Sequence, residues 1–548
     1  MIDDTERARW LQGPDFLATM PTLLHRSATR YGDRTLIVSG DRSLTYAEAL
    51  AESAALARIL LENGVGKGTR VAILLPNSLE WLITFFAVSR IGAVAVLVHT
   101  MYQKRELQYV LRHSDAHTLV TRRRFLSHDY VDRLEAIAPG LTGHAAGAQI
   151  MAAELPYLRQ AFVWGDDVPG WARSADGEMA SATRLAHDPL LESIESEVFP
   201  SDVAFMMYTS GSTADPKGVA HTQGGLVSRT HYVRGSYAFD ENDRILIVGP
   251  FCWAARFLSL MLAVHSGAAL ICPVTPKADD TIEAMIQERP TLVSGPPPFL
   301  RELRSHSRVL AGEVDADVLS ALDRHDAAGA VVPPDRVTLG VGMTETIAPH
   351  SLEIRGVVPA WRPGTFGRAV PDIERRIRSV ETGEWLGPGV AGELCVRGPH
   401  VMDGYYKRER GEVFTQDGYF PTGDLCSIDE DGCLTYFGRN NEMIKTSGAN
   451  VSPREIEALL ESYPEIQEAG VFGLPSGEFN ESVTAVIVAR DGFVPDVEAI
   501  RGRMRGEVSS FKVPKAIYVR RFEELPRTGS GKLDKRQFRA ELIASAPP

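Results

Sequence analysis

The chain has 548 residues, of which 44% are hydrophobic, 24% charged and 8% aromatic, and its formal net charge at pH 7 is −13. This length exceeds one ordinary hydrophobic core and predicts several folding units, while the composition excludes collagen, coiled coil and wholesale disorder. The negative charge disfavours general nucleic-acid binding, so no nucleic-acid partner is expected.

The first residues and the cysteines indicate the compartment. The opening segment, MIDDTERARWLQG, is acidic and lacks the apolar run of a secretory signal. An odd number of cysteines without a CxxC pair argues against a disulfide framework and against a structural zinc site. We therefore expect a reduced, cytoplasmic protein. The five cysteines are Cys252, Cys272, Cys395, Cys426 and Cys433.

Two apolar stretches, residues 81–98 and 257–274, come closest to membrane character. The first contains Arg90 and the second His265. Each stretch is more typical of a buried helix followed by a strand than of a membrane span, so no span is expected.

In chain order, helix and strand patterns alternate from residue 45. Residues 45–64 have apolar positions at helical spacing and stop at Gly64, and residues 70–77, RVAILLPN, form a continuous apolar run. A run of this kind is expected for a strand covered on both faces. The alternation recurs up to about residue 297 and predicts parallel sheets with helices. Residues 126–200 lack a clear pattern and are expected to form surface connections.

The pattern changes after about residue 370. Short alternating strands and turns such as GELCVRG and DGCLTYFGR predict a small antiparallel, barrel-like subdomain. Helices and strands alternate again from residue 438. The predicted fold is therefore mixed α/β, with a large domain at 1–437 and a small α+β domain at 438–548.

Residues 208–218, YTSGSTADPKG, carry the strongest local signal and follow an apolar strand. Glycines and small hydroxyl residues expose N–H and O–H donors, and Lys217 adds a positive charge, which together suit a polyphosphate. The segment is not a GxxxxGK[ST] loop, because Gly218 follows the lysine. For a shorter segment of this composition, an ordinary surface loop would be the alternative to a phosphate-binding loop.

Two further segments contain carboxylates after glycine-rich turns. In residues 340–346, GVGMTET, Glu345 could hold Mg²⁺ and Thr344 could donate to a phosphate. In residues 418–425, GYFPTGDL, Asp424 could accept both ribose hydroxyls. Taken alone, each segment is more typical of a solvated turn.

The last two segments contain lysines on glycine-flanked loops. They are residues 436–448, YFGRNNEMIKTSG, and residues 526–532, PRTGSGK, which end at Lys532. A lysine on such a loop can be delivered to a site as a point charge, although a lone one is usually solvent-exposed.

All five segments in this order, with GELCVRGPHVMDGYY at 392–406, resemble the acyl-CoA synthetases of the adenylate-forming superfamily, which includes 4-coumarate–CoA ligase, fatty acyl-CoA synthetases and firefly luciferase. The resemblance runs from about residue 20 to residue 540. It implies two steps: a carboxylate attacks the α-phosphate of ATP, and a thiol then displaces AMP from the acyl-adenylate. ATP, Mg²⁺ and CoA, or a phosphopantetheine carrier protein, are the implied partners.

The resemblance also assigns roles by matching positions. Lys532 would bridge the carboxylate and the α-phosphate in the first step, Glu345 would hold Mg²⁺, and the small domain would then rotate about Glu442 to bring Gly448 to the thiol tunnel. The implied catalytic set is Lys532, Lys217, Glu345, Thr344 and Gly448. The implied nucleotide and cofactor contacts are Thr209, Ser210, Gly211, Ser212, Thr213, Lys217, Gly312, Glu313, Val341, Gly342, Met343, Thr344, Asp424, Arg439, Lys445 and Gly448.

The chain departs from the family pattern at several positions. Ala214 replaces a glycine of the phosphate loop, Val341 replaces the usual aromatic residue beside adenine, and Ser447 replaces the first glycine before the thiol tunnel. These departures keep open an enzyme limited to one half-reaction. A catalytically silent ligand-binding protein on the same fold is a further alternative, because a fold does not imply a function, and the retained Lys217, Glu345, Asp424 and Lys532 argue against it.

The family's acyl pocket would be bordered here by Trp253, Arg256, Phe257, Gly340 and Val341. No acidic residue occurs from 251 to 256 to pair with an ammonium group, which disfavours an α-amino acid and favours a hydrophobic or aromatic carboxylic acid. Arg256 could bind a polar group at the far end of the substrate, but a structural salt bridge is the more ordinary role for a buried arginine.

Overall fold

The protein is described here from a computed structural model. The structure describes residues 13–182, 187–209, 215–237, 239–295, 297–323, 338–354, 365–439, 444–446, 449–451, 453–476, 480–490, 492–526 and 533–545.

The helices and strands alternate along most of the chain. The helices are α1 Met20–Tyr31, α2 Tyr46–Glu62, α3 Leu79–Arg90, α4 Lys104–His113, α5 Tyr130–Ile137, α6 Ala175–Ser181, α7 Pro189–Ser196, α8 Gln223–Tyr237, α9 Ala254–Ser266, α10 Ala278–Glu288, α11 Pro297–Ser305, α12 Ser307–Leu310, α13 Ala316–Asp323, α14 Arg410–Val413, α15 Pro453–Glu461, α16 Val497–Glu507 and α17 Lys535–Ser545. The strands are β1 Thr35–Ser39, β2 Arg42–Thr45, β3 Arg70–Leu74, β4 Val94–Leu97, β5 Thr118–Arg122, β6 Arg124–Phe125, β7 His128–Asp129, β8 Gln160–Trp164, β9 Arg173–Ser174, β10 Val203–Thr209, β11 Lys217–Thr222, β12 Arg244–Ile247, β13 Ala269–Cys272, β14 Leu292–Ser294, β15 Thr338–Gly342, β16 Pro349–Ile354, β17 Arg368–Ala369, β18 Glu374–Arg378, β19 Gly392–Arg397, β20 Gly404–Tyr405, β21 Phe420–Ile428, β22 Leu434–Arg439, β23 Ile444–Thr446, β24 Ala449–Val451, β25 Ile466–Ser476, β26 Asn480–Ala489 and β27 Ala516–Arg520.

The chain divides into two compact units. Unit 1 comprises residues 1–100, 110–207 and 218–438, and unit 2 comprises residues 101–109, 208–217 and 439–548.

Two largely parallel sheets form the framework of unit 1. One has eight strands in the order β20-β11-β10-β4-β3-β5-β8-β9, and the other has five in the order β14-β12-β13-β1-β2. The pairs β3–β4, β4–β10, β12–β13 and β12–β14 are parallel. Their strands are short apolar runs covered by helices, as buried parallel strands require. The predicted α/β class is confirmed.

The predicted change of texture after residue 370 is also present. Strands β18, β19, β21 and β22 form a four-stranded antiparallel sheet in that order. Its apolar face packs in a separate core that includes Ile377, Leu394, Val396 and Phe420.

Unit 2 contains a sheet in which β24, β23, β26 and β25 are neighbours and β27 pairs with β26. Helices α15 and α16 bury Ile456, Leu460, Ile500 and Met504 in the same core as this sheet. The predicted α+β character of the C-terminal region is confirmed.

The interpretation of residues 126–200 as surface connections was wrong in part. Strand β8 belongs to the eight-stranded sheet and pairs in parallel with β5 over five residues, from Gln160 to Trp164. Its central residues are fully buried, as expected for a parallel strand covered on both faces.

The two apolar stretches form buried helix–strand pairs. Helix α3 precedes β4, and helix α9 precedes β13. Among the helices in the described ranges, none is long and apolar enough to cross a membrane.

Candidate active site

The β15–β16 hairpin carries the GVGMTET segment. A Cβ on Gly342 would lie 2.6 Å from the Pro349 Cα and 2.7 Å from the Ala348 carbonyl oxygen. Neither backbone atom can move aside easily, so this position requires glycine. The close approach of the two strands holds Thr344 and Glu345 in a short 3₁₀ turn at their junction.

The Glu345 side chain is buried and fixed in direction. The Tyr405 hydroxyl donates a hydrogen bond to Glu345 Oε1 at 2.7 Å, and the Met402 N–H donates to the Glu345 carbonyl oxygen at 2.8 Å. Within the described residues, Glu345 Oε2 accepts no hydrogen bond. One free carboxylate oxygen fits a Mg²⁺ ion that takes its remaining ligands from phosphates and water.

His221 supports the neighbouring residue and was not found by sequence reasoning. Its Nε2–H donates to the Thr344 carbonyl oxygen at 2.7 Å, and its ring stacks on Phe205 with centroids 5.1 Å apart. Burial lowers the pKa of His221 to about 4, so the ring is neutral at pH 7. Because strand β11 begins at Lys217 and contains His221, the strand that leaves the phosphate-loop segment also fixes the Thr344 backbone.

Asp424 lies on β21 and is 4% exposed. Its N–H donates to the Thr422 hydroxyl at 3.1 Å, and Gly423 before it has a positive φ of 75°. A buried carboxylate directly after a backbone position that favours glycine suits a ribose contact. Val341 is half-buried on β15, opposite Ser351, and Met343 is half-buried beside the turn.

The predicted phosphate loop is described only at its two ends. Thr209 ends β10 and Lys217 begins β11. Of the other predicted residues, Ser210, Gly211, Ser212, Thr213, Glu442, Gly448 and Lys532 lie outside the described residues, as does the Arg439 side chain. Lys445 is exposed on β23, and its N–H donates to Glu481 Oε2 at 2.9 Å.

Gly312 and Glu313 lie in an exposed turn after α12. The Glu313 carboxylate accepts a hydrogen bond from Arg308 Nε at 2.7 Å, and Gly312 has a φ of 80° with open space around it. This geometry shows a surface ion pair. The adenine contact assigned to the two residues stays a prediction.

The carboxyl ends of several parallel strands meet the segment 249–256. Asn77, just after β3, donates from Nδ2 to the Gly249 carbonyl oxygen and accepts at Oδ1 from the Phe251 N–H, both at 2.8 Å. His99, just after β4, has its ring centroid 5.4 Å from that of Trp253. Ligands of open α/β sheets bind outside the carboxyl ends of the strands, so this edge is the candidate acyl-binding region.

Arg256 and Phe257 differ in their surroundings. Phe257 is fully buried and packs on the rings of Trp81, Phe85 and Phe205. Its packing role is clear, and its contact with the acyl group stays a prediction. For Arg256, the expected structural salt bridge was wrong within the described part of the chain, because the guanidinium bonds to a carbonyl oxygen and a hydroxyl instead of a carboxylate.

Comparison with known proteins agrees with this arrangement. The chain matches the AMP-binding enzyme family over residues 24–406 and the AMP-binding enzyme C-terminal domain over residues 455–532. It is 31% identical to the 3-hydroxybenzoate–CoA/4-hydroxybenzoate–CoA ligase of Thauera aromatica, over 94% of this chain and 95% of that protein. It is 27% identical to a long-chain-fatty-acid–CoA ligase of Salmonella typhimurium, over 96% of this chain and 95% of that protein.

Solved structures show the same fold. A double mutant of o-succinylbenzoate CoA synthetase from Bacillus subtilis superposes with a TM-score of 0.73 at 24% identity, covering 94% of this chain and 98% of the other. The fold and the site define an α/β protein with a buried Glu345 carboxylate beside Thr344 and a C-terminal sheet in unit 2. The chain belongs to the AMP-binding enzyme family, and the resemblance to acyl-CoA synthetases is confirmed.

Proposed function

We propose that this protein is an AMP-forming ligase that joins a hydrophobic or aromatic carboxylic acid to CoA. In the first step a carboxylate oxygen attacks the α-phosphorus of ATP, and pyrophosphate leaves. In the second step the CoA thiol attacks the acyl carbonyl carbon, and AMP leaves. The observation that carries the proposal is the buried Glu345 carboxylate, which Tyr405 fixes in direction beside Thr344.

The first step brings two anions together, so the site must supply positive charge and hydrogen-bond donors. Lys217 and Lys532 supply charge to the phosphates and the carboxylate, and the Thr344 hydroxyl donates to a phosphate oxygen. Glu345 holds Mg²⁺, which neutralises phosphate charge when it is bound. His221 keeps the Thr344 backbone in place, because its neutral ring donates to the Thr344 carbonyl oxygen.

The second step requires the first catalytic set to leave. We assign the boundary to residues 437 and 438 and the hinge to Glu442, with Gly448 lining the thiol tunnel after rotation. The match to the family's C-terminal domain supports the presence of both half-reactions in this chain. CoA is the proposed acceptor thiol, and a phosphopantetheine carrier protein is the other acceptor that the test must include.

The acid class rests on the relatives and on the candidate acyl-binding region. The two relatives are named for hydroxybenzoates and for long-chain fatty acids. Trp253 provides an aromatic surface at the carboxyl edge of the sheets, next to the His99 ring. The segment from 251 to 256 contains no carboxylate for an ammonium group, which argues against amino acids.

The first test is mass spectrometry of products formed from ATP, Mg²⁺, CoA and a panel of carboxylic acids. We expect acyl-CoA and AMP in equal amounts. If acyl-AMP forms without acyl-CoA and its acyl group then passes to a carrier protein, the acceptor is the carrier protein and not CoA. Glu345→Gln is the matched control, because it keeps side-chain size and removes the metal-binding charge. The absence of both products with every acid would refute the proposal.

Separate assays of the two half-reactions test the catalytic assignment. Lys532→Ala should cripple acyl-AMP formation and leave thioester formation from synthetic acyl-AMP largely intact. Gly448→Trp should block only the thioester step, since a bulky side chain would fill the thiol tunnel. An equal loss in both half-reactions for Lys532→Ala would contradict its assigned role.

A further inference from the structure

Arg256 lies at the carboxyl edge of the five-stranded sheet. Strands β12 and β14 are parallel neighbours, with Ile247 opposite Ser294. Arg256 Nε donates to the carbonyl oxygen of Val248, just after β12, at 2.7 Å. Its Nη1 donates to Ser294 Oγ, at the end of β14, at 3.1 Å. The guanidinium therefore spans the ends of two parallel strands, where ligands of such sheets bind.

Helix α9 and the Ser294 side chain set the position of the Arg256 guanidinium. Arg256 is the third residue of helix α9, whose N-cap is Trp253. The Ser294 hydroxyl also contacts the Ser259 hydroxyl at 3.0 Å, so Ser294 is itself positioned. A Cβ on Gly249 would lie 3.4 Å from Arg256 Nε, which shows that the backbone of the 249–256 segment passes close to the guanidinium.

Within the described residues, no carboxylate balances the charge of Arg256. Its two contacts are to neutral oxygens, and no carboxylate in the described ranges pairs with it. Burial lowers the pKa of Arg256 to about 10, and the group still carries its charge at neutral pH. An enclosed cation without a counter-ion is unfavourable unless another anion reaches it. Arg256 as a whole residue is half-buried.

Hydrogen-bonding capacity gives a second argument. A guanidinium has five N–H donors in a planar fork, and Arg256 uses two of them on described residues. A carboxylate can accept two parallel N–H hydrogen bonds from such a fork. These hydrogen bonds are stronger and more specific in their geometry than those to a neutral acceptor. The remaining donors therefore match a carboxylate better than a hydroxyl or a carbonyl group.

We infer that Arg256 binds a second carboxylate of the acyl substrate, at the end remote from the reacting carboxyl group. The preferred substrates are dicarboxylic acids with an apolar or aromatic skeleton, activated at one end. This inference rests on the proposed function, because it takes the 249–256 segment as the border of the acyl pocket. It narrows the substrate class of that same site.

Binding and turnover are measured separately, so that the two proposals can fail separately. Titration calorimetry with the full chain and AMP compares each dicarboxylate with a monocarboxylate of matched skeleton: succinate to dodecanedioate against butanoate to dodecanoate, and terephthalate against para-toluate. We expect at least one dicarboxylate to bind about 10–100-fold more tightly than its partner. Acyl-CoA formation from the same acids should show the same preference in kcat/KM, mainly through KM.

Variants test whether Arg256 is the cause. Arg256→Met keeps the length of the stem and should abolish the preference, and Arg256→Lys should retain part of it. The matched control is Arg244→Met. Arg244 lies at the opposite end of β12 and pairs with Glu288, so its loss should leave the preference unchanged. Thermal unfolding of each variant checks that the fold is retained.

Each outcome decides one point. Equal affinity of every matched pair for the wild-type protein would overturn the inference without any variant. A dicarboxylate preference that survives Arg256→Met would also overturn it. Selective dicarboxylate binding without acyl-CoA or acyl-AMP would support the Arg256 site and refute the ligase proposal. Acyl-CoA formation without selectivity would support the ligase and refute the role of Arg256.

Discussion

A buried ion cluster in unit 2 allows a quantitative prediction. Lys512 Nζ lies 2.8 Å from Glu106 Oε1 and 2.7 Å from Glu455 Oε1, and the three side chains are 4%, 4% and 10% exposed. The Ser509 hydroxyl donates to Glu106 Oε2 at 3.2 Å. One lysine therefore pairs with two carboxylates that are both removed from water. We predict that Lys512→Met, which keeps the apolar stem and removes the charge, destabilises unit 2 strongly.

The expected loss follows from what the substitution leaves behind. Removing one partner of a buried ion pair typically costs about 3–5 kcal/mol, because the remaining charge stays buried without compensation. Burial already raises the pKa of Glu455, against the opposing effect of Lys512. Without the lysine, the carboxylates bind protons more readily in the folded than in the unfolded state. The stability of the variant should therefore rise as the pH falls toward 5, relative to wild type.

Hydrogen exchange is the suitable assay, because it reports the opening free energy of unit 2 separately from unit 1. Peptides from β25 and β26 should lose about 3–5 kcal/mol of protection at pH 8 and less at pH 5.5. Arg521→Met is the control, since it breaks only an exposed pair with Glu524 and should leave protection unchanged. A loss below about 1 kcal/mol, or a loss independent of pH, would refute the reasoning.

Three further predictions concern unit 1. Tyr405→Phe removes the hydroxyl that donates to Glu345. This variant should lower kcat/KM for acyl-AMP formation about 10–100-fold, while thioester formation from supplied acyl-AMP persists. An equal loss in both steps would contradict an orienting role for Tyr405. Gly342→Ala forces a Cβ against the Pro349 backbone, and should lower stability by about 1–3 kcal/mol in urea titration, whereas wild-type stability would show that the hairpin opens freely. Burial lowers the pKa of His350 to about 3 and of His400 to about 4, so the unfolded chain binds more protons than the folded chain below pH 6.5. Each residue should therefore lower the free energy of unfolding by about 1.4 kcal/mol per pH unit as the pH falls from 6.5 to 4. Unfolding curves that do not shift over this range would exclude the burial of neutral histidines.

Elements with strong periodicity were predictable. The helix over 45–64 and the strand after it are α2 and β3, and the C-terminal patterns correspond to α15, β25, β26 and α16. Each of these elements buries one stripe or one continuous run, so the pattern alone indicates its type. Strand β8 was missed because five residues in an irregular region become a strand only through pairing with β5, a contact across about forty residues of chain.

The composition of the two units is a second feature that sequence patterns do not reveal. Sequence patterns divide a chain into consecutive segments, whereas unit 2 also contains residues 101–109 and 208–217. The first of these segments supplies Glu106 to the ion cluster with Lys512. No local pattern around Glu106 distinguishes this carboxylate from the many that face solvent, since its partner is about four hundred residues away.

The candidate site residues differ in the same way from the residues that hold them in place. Glu345 and Asp424 occur within short motifs, and the five motifs in their order, with the family resemblance, selected them as candidates. Tyr405 and His221 act on the site through single hydrogen bonds that depend on the pairing of β11 with β20 and on the turn between β15 and β16. No motif of fixed spacing in the sequence signals such contacts, so they were visible only in the structure.

Arg256 shows how a missing contact becomes informative. From the sequence, a salt bridge was the ordinary expectation, because a protein seldom encloses a cation without an anion. The structure instead provides a carbonyl oxygen and a hydroxyl at the ends of two parallel strands. Neutral acceptors can orient the guanidinium but cannot balance its charge. A charge without a carboxylate partner among the described residues, at a candidate ligand-binding edge, is one that an anionic ligand is suited to balance, so acids with a second carboxylate are the substrates to test first.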